Sequence, residues 1–317
     1  MEDLVRTGVD LPQAREAVDS ALLLLSDLHR AAASSEAAPV PMAGEGLAQL
    51  TLLIAGVAVQ LRLSKSLVGD IQEAFGHLIA DVQRTDAQLC VRLDGSRVEF
   101  LAPGQPEWSG EALHFVSLLK AELIDIVLRC ARYEVALHAA AVTDIDGTLL
   151  LVGSPGAGKT TLSVALAGAG FEVISDDVVL VGEGGRATGL PFALTAKATA
   201  WPFISGQWPN LTFEPSYLRP DGQTVAYLNE IPLAQPKSRR IKFIILLDRQ
   251  EIAPARVHEI DPVDALTALI AEGATRDERM SAIGFKSLID VLQQARCFRL
   301  TYSDLSAAVA AVRSLRS

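Results

Sequence analysis

The segment Thr148 to Ala169, TLLLVGSPGAGKTTLSVALAGA, limits the fold of this chain more than any other stretch. An apolar run, Leu149 to Val152, ends in Gly153-x-x-x-x-Gly158-Lys159-Thr160, and a helix-compatible sequence follows at once. Strand, glycine-rich turn and helix in that order predict a phosphate-binding loop. Glycines at 153, 156 and 158 free the backbone to turn its N–H groups toward phosphate oxygens, and the new helix adds its positive dipole end. The candidate cradle is Gly153, Ser154, Pro155, Gly156, Ala157, Gly158, Lys159, Thr160 and Thr161. Lys159 supplies a mobile charge for the outer phosphates, and the Thr160 hydroxyl suits a Mg²⁺ shell. The expected ligands are therefore ATP and Mg²⁺.

Composition narrows the rest. Half of the 317 residues are hydrophobic, enough for a sizeable core, and the formal charge of −10 argues against a nucleic-acid binder. The three cysteines, Cys90, Cys130 and Cys297, are widely spaced and form no C-x-x-C pair. They read as buried thiols of a reducing compartment rather than a disulfide framework or zinc site. The N-terminus lacks the basic-then-apolar order of a signal peptide, and no apolar run is long enough to span a bilayer. A cytoplasmic protein without membrane or nucleic-acid partners is expected, with a homo-oligomer left open.

Residues 1–46 read as a helical segment (11–33) and an Ala/Ser/Pro-rich linker. Residues 47–110 read as a small α+β domain: a strand over Leu50–Leu63 interrupted at Gly56, a helix over Leu67–Val82, and strands Gln88–Leu93 and Arg97–Leu101 around an Asp94-Gly95 turn. Residues 111–134 suggest a connecting helix, and 135–317 the nucleotide-binding domain. There the pattern gives a strand over Val135–Val142, the loop strand and helix, and a strand over Phe171–Val181. Residues 190–236 suggest irregular loops around a site, and Ile241–Leu247 a buried strand. Helices 262–271 and 284–295, strand Phe298–Tyr302 and helix 304–315 complete the domain.

Several side chains fall near the loop in this scheme. His138 sits among small residues in Val135-Ala-Leu-His-Ala-Ala-Ala-Val142, where it fits either a core histidine or an imidazole facing an open site. Asp176 and Asp177 end the strand after the loop helix, at the sheet edge where α/β proteins bind ligands. Adjacent carboxylates there suit general base and metal roles, although a solvated loop would also account for them. Asp248, after the run Ile241–Leu247, is a competing metal ligand or a partner for Arg249. Arg239 and Arg240 form the strongest basic cluster and, with Lys197, are candidates for substrate or phosphate binding. A solvated strand entry explains the arginine pair equally well.

His138-Ala-Ala-Ala-Val142, the loop Gly153 to Thr161 and Phe171-Glu-Val-Ile-Ser-Asp-Asp-Val-Val-Leu180 together resemble the kinase domain of HPr serine kinase/phosphorylases. They resemble more closely the shorter HPr-kinase-like proteins, including kinases that tailor lasso-peptide precursors. Weaker likenesses lie in Leu53–Gln60 and Phe298–Tyr302. The resemblance implies an α/β fold: an HPr-kinase/phosphoenolpyruvate-carboxykinase-like P-loop core with a small N-terminal α+β domain. It also implies that Asp176 deprotonates the acceptor hydroxyl, with His138 close by. The family's Glu-x-Arg-Gly-x-Gly signature has no counterpart after residue 181, and the loop reads Gly-Lys-Thr-Thr rather than Gly-Lys-Ser-Glu. Recognition of HPr and the reverse reaction are therefore not carried over.

The expectation is an ATP-dependent kinase acting on a serine hydroxyl of a peptide or small protein, such as a ribosomal peptide precursor. Asp176, His138 and Lys159 are the catalytic candidates, and Thr160 and Asp177 the metal ligands. Two alternatives stay open: a kinase for a small metabolite such as free serine, and a nucleotide-gated regulatory ATPase.

Overall fold

The computed structural model describes residues 46–274 and 280–315. The expected N-terminal helix and linker lie outside the described residues.

The chain alternates β-rich and helical segments into a mixed α/β architecture of three sheets. The first holds β1 (Leu47–Ile54), β2 (Val57–Ser64), β3 (Ala87–Asp94), β4 (Arg97–Leu101) and β5 (Trp108–Glu111) in sequential order. The single strand expected across Gly56 is a hairpin. Ala55 and Gly56 take φ of 48° and 86°, a two-residue turn whose twist matches its flanking strands. Only β2 and β3 run parallel, and the helix Val68–Phe75 supplies their crossover, burying Ile71, Ala74 and Phe75. The expected helix to residue 82 ends sooner, in a short 3-10 turn at Gly76–Leu78, and the Pro-rich segment after β4 contributes the additional strand β5.

The helix Phe115–Cys130 is more than a connector. Val116, Leu119, Leu123 and Val127, at helical spacing, are buried in the same cluster as Leu61, Val91 and Phe100 of the first sheet. That cluster continues into Leu180, Phe192 and Tyr227, so the N-terminal unit and the remainder share apolar packing. Cys130, expected to be buried, is exposed at the end of this helix, whereas Cys90 and Cys297 are buried.

The largest sheet begins with β6 (Val135–Leu137), β7 (Ala140–Thr143), β8 (Thr148–Val152), β9 (Glu172–Ser175), β10 (Val179–Val181) and β11 (Arg186–Gly189). The expected continuous strand over 135–142 is broken at His138–Ala139. The chain changes partners there, since β6 pairs with β10 whereas β7 pairs with β8 and β9. The strand expected over 171–181 is likewise two strands, with Asp176 and Asp177 in the turn between them. Residues 190–236, expected to be irregular, contain β12 (Leu194–Lys197), β13 (Ser216–Leu218) and β14 (Thr224–Leu228) as a separate sheet in the order β12-β14-β13, with the helix Trp201–Gln207. These strands are too short for a periodic signal to stand out.

β15 (Arg239–Arg249), β16 (Arg256–Glu259), β17 (Gly273–Ala274) and β18 (Arg296–Tyr302) complete the large sheet. β8 lies between β7, antiparallel, and β15, parallel, and β18 pairs in parallel with β15. Alternation along β8 separates two apolar layers. Leu149 and Leu151 pack with the loop helix Lys159–Gly168 and the helix Leu305–Ser314, whereas Leu150 and Val152 pack with helices Pro262–Ala271 and Ala282–Gln294. A fully apolar strand covered on both faces is what the unbroken Leu-Leu-Leu-Val run requires.

Replacing Leu123, fully buried between the helix Phe115–Cys130 and the first sheet, should show whether that helix is structural for the unit. Leu123→Ala is expected to lower the unfolding free energy by about 3 kcal/mol in urea titrations, the cost of a core cavity.

Candidate active site

The loop leaves the C-terminal end of β8 and closes on the helix Lys159–Gly168. Gly158 caps that helix at φ 91°, and a Cβ there would sit 2.7 Å from the Tyr302 hydroxyl, so geometry and space both demand glycine. At Gly153, whose added Cβ would meet that of Ala157 at 2.9 Å, the requirement is space alone. The Tyr302 hydroxyl donates to the Ala157 carbonyl at 3.0 Å. Burial pushes that phenol up to about 12, so it remains a donor and props the loop from below.

Lys159 is buried, and its Nζ donates to the Gly153 carbonyl at 2.5 Å, folding the side chain back over the loop. Burial lowers its pKa, against the pull of Glu272, Asp177 and Asp176. All three carboxylates therefore belong to the lysine's electrostatic surroundings.

The two aspartates face different partners. Asp176 is 5% exposed, and its Oδ2 accepts from the Thr160 hydroxyl at 3.1 Å and from the Thr195 amide at 2.9 Å. Burial raises its pKa, with the charge of Asp177 acting in the same direction and Lys120 opposing. Asp177 is half-buried: its Oδ1 lies 3.2 Å from Nδ1 of His138 and its Oδ2 3.6 Å from Nζ of Lys120. Burial alone would raise this carboxyl, but the Lys120 ammonium and His138 hold it well below the usual carboxylate range. The sequence reading paired Thr160 with Asp177 on the metal side and His138 with Asp176. In the structure those pairings are exchanged, because the turn after β9 sends one side chain inward to the loop helix and the next toward β6.

Lys120 was missed by sequence reasoning. It comes from the helix Phe115–Cys130, is 6% exposed, and donates to the Thr195 hydroxyl at 2.6 Å. Its ammonium also lies over the rings of Phe192 and Tyr227, 5.5 and 5.6 Å from their centroids. Burial would lower its pKa, yet Asp177 and Asp176 raise it, so it is a charged lysine inside the protein. A signal did exist: position 120 falls on the same helical stripe as Val116, Leu123 and Val127, where a lysine must find buried partners. Glu272, also missed, follows the helix Pro262–Ala271, and its backbone carbonyl accepts from the His138 amide at 2.8 Å. Its buried Oε2 has no hydrogen-bond partner among the described residues, and burial raises its pKa. No sequence pattern marks it.

Lys197 lies two residues beyond Thr195 on β12, on the same strand face, exposed and within electrostatic reach of Lys159. Arg239 and Arg240 do not join the site. They open β15, which runs parallel to β8, so they lie at the opposite sheet edge, about 25 Å of strand from Asp248. Arg239 there donates to the carbonyls of Gln235 and Lys237. Asp248 accepts from Thr301 at 2.9 Å and Gln250 at 3.1 Å, and Arg249 lies over the Phe203 ring instead of pairing with it.

Among the described residues no group of three or more His, Cys, Asp or Glu side chains forms a self-sufficient metal site. Thr160 and Asp176 nevertheless offer adjacent hard oxygen donors, and a divalent cation would offset the cost of burying Asp176. That fits Mg²⁺, which binds through one or two protein oxygens plus substrate phosphates.

No protein-family model matches the chain, and no curated protein matches it. Among solved structures, the Hpr(Ser) kinase/phosphatase from Coxiella burnetii aligns with 57% of this chain and 95% of its own, at 14% identity and a TM-score of 0.27. A likeness at that level adds nothing to the reading of the site. No helix among the described residues is long and apolar enough to cross a membrane.

The opposite shifts of the two aspartates give a test of opposite sign. Asp176 holds its proton more tightly folded than unfolded, so it opposes folding once pH rises above the unfolded carboxyl value of about 3.9. Asp177, depressed, stabilises above that value and loses its contribution as pH falls toward its folded pKa. In metal-free protein at neutral pH, Asp176→Asn should raise Tm and Asp177→Asn should lower it in thermal denaturation. Shifts of equal sign would contradict this electrostatic account.

Proposed function

We propose that the protein is an ATP- and Mg²⁺-dependent kinase that transfers the γ-phosphoryl group to a serine hydroxyl of a peptide or small protein. The observation that carries this reading is the convergence of Lys159, Thr160 and Asp176 on one side, and His138, Asp177 and Lys120 on the other, at the mouth of the glycine-rich loop. One group of residues suits the phosphates, and the other suits a reacting hydroxyl. A site for nucleotide hydrolysis alone has less need of a histidine–carboxylate pair beside the phosphate cradle.

The loop amides and Lys159 bind the β- and γ-phosphates and neutralise charge that spreads over the phosphoryl oxygens. Thr160 and Asp176 would hold Mg²⁺, which when bound supplies further charge neutralisation and orients the γ-phosphate. Lys197, exposed on the site face of β12, reaches toward the same region and suits an anionic part of the nucleotide or acceptor. Tyr302 and the glycine packing keep the loop in one shape, so little reorganisation is spent when phosphate arrives. A ribosomal peptide precursor of the lasso type is the acceptor that the sequence resemblance implies.

Lys159→Ala should weaken ATP binding and reduce turnover together, because the side chain contacts ground and transition states alike. Loss of about 100-fold in kcat/KM with a raised KM for ATP is expected from steady-state ADP release. Incubation of the wild type with ATP, Mg²⁺ and serine-containing peptides, followed by intact-mass analysis, should detect peptide phosphorylation. Phosphate found on free serine but on no peptide would move the assignment to a metabolite kinase. ADP release that no acceptor stimulates would move it to a regulatory ATPase.

A further inference from the structure

Resting on the kinase reading, we infer that His138, rather than either aspartate, takes the proton from the acceptor hydroxyl, with Asp177 and Lys120 as its positioning residues. Asp176 is poorly placed for that task. It is 5% exposed, and the same oxygen that faces the loop helix already accepts from Thr160 and Thr195. Asp177 is more open, but one oxygen is turned to His138 and the other to Lys120. Both oxygens of Asp177 are thus engaged by neighbouring side chains.

His138 has the geometry that the aspartates lack. Nδ1 lies 3.2 Å from Asp177 Oδ1, which fixes the tautomer with the proton on Nδ1 and leaves the Nε2 lone pair available. Nε2 has no hydrogen-bond partner among the described residues, and the side chain is 39% exposed. The break between β6 and β7 puts this residue outside both strands, with its amide donating to the Glu272 carbonyl. The backbone is thus anchored while the ring projects into the site. Glu272 is a further charged group within electrostatic reach of it.

The arrangement is a base oriented by a carboxylate that is itself held by a buried cation. Lys120 reaches it from a helix packed in the N-terminal unit, so that unit contributes directly to the order of the site. In the transfer step the acceptor O–H bond breaks and an Nε2–H bond forms. The acceptor oxygen bonds to the γ-phosphorus as the bond to the β,γ-bridging oxygen breaks. ADP leaves with that electron pair, and the imidazolium returns its proton to solvent. Asp177 stays ionised throughout and stabilises the imidazolium.

The test uses the full chain with Mg-ATP and a mixture of synthetic serine peptides, scored by ADP release and phosphopeptide mass. His138→Ala should lower kcat about 100-fold or more while leaving the KM for ATP within about twofold, and added imidazole should restore about tenfold of the loss. His138→Gln, which fills the space, should be equally slow and not rescued. Asp177→Asn should lower kcat about tenfold or more through loss of the orienting carboxylate. If His138→Ala fails to fold, as judged by its ATP affinity, His138→Gln and Asp177→Asn decide the matter. The proposal is overturned if either retains kcat within about threefold of the wild type, or if His138→Ala folds and its lost turnover is not restored by imidazole. A wild type that binds ATP but whose ADP release no acceptor stimulates would instead overturn the kinase reading on which this one rests.

Discussion

Two adjacent carboxylates in a tight turn beside a glycine-rich loop present an electrostatic problem, and much of the molecule is arranged around its solution. Placing Asp176 inside the protein is costly unless its charge is compensated, and Asp177 next to it makes the cost greater. Lys120 answers both. Its ammonium is buried within reach of the two carboxylates, tied to Thr195, and backed by the faces of Phe192 and Tyr227. Because that lysine belongs to the helix Phe115–Cys130, the helix must dock against both the first sheet and the β12–β14 sheet for the site to exist. The apolar cluster that joins the N-terminal unit to Leu180, Phe192 and Tyr227 is the packing side of the same requirement.

The glycine-rich loop between β8 and its helix was legible because the constraints on it are local. Strand, turn and helix lie within a few dozen residues, and each glycine answers to a nearby constraint: left-handed backbone at Gly158, contact with Ala157 at Gly153. The alternating burial of the Leu149–Val152 strand between two layers follows from the same run. His138 and the aspartates could be brought near the loop by counting strands, which is coarse but sufficient for placement. The counting could not reveal the break at His138–Ala139 or the turn at Asp176–Asp177. Both depend on which strands pair, and pairing is a long-range property.

The misreadings have a common cause. Arg239 and Arg240 are a conspicuous cluster, yet they open a strand parallel to β8, so topology sends them to the wrong sheet edge. Lys120 is inconspicuous, a single charge in an otherwise apolar helix, but its partners lie more than fifty residues away. Glu272 is placed by a short β pairing between β17 and β6 that no periodicity announces. Residue type indicated which chemistry was available; only tertiary placement decided which residues could use it.

The Tyr302 hydroxyl under the Ala157 carbonyl has a consequence in time as well as in space. The prop comes from β18, which is attached to the sheet through β15 and is synthesised more than a hundred and forty residues after the loop it supports. During translation the loop sequence therefore emerges long before its floor. A nascent chain that has completed β8 and the loop helix still lacks both β15 alongside and the tyrosine below. The final shape of the loop is thus deferred until β18 has left the ribosome, and a partly made chain carries the loop sequence without its support.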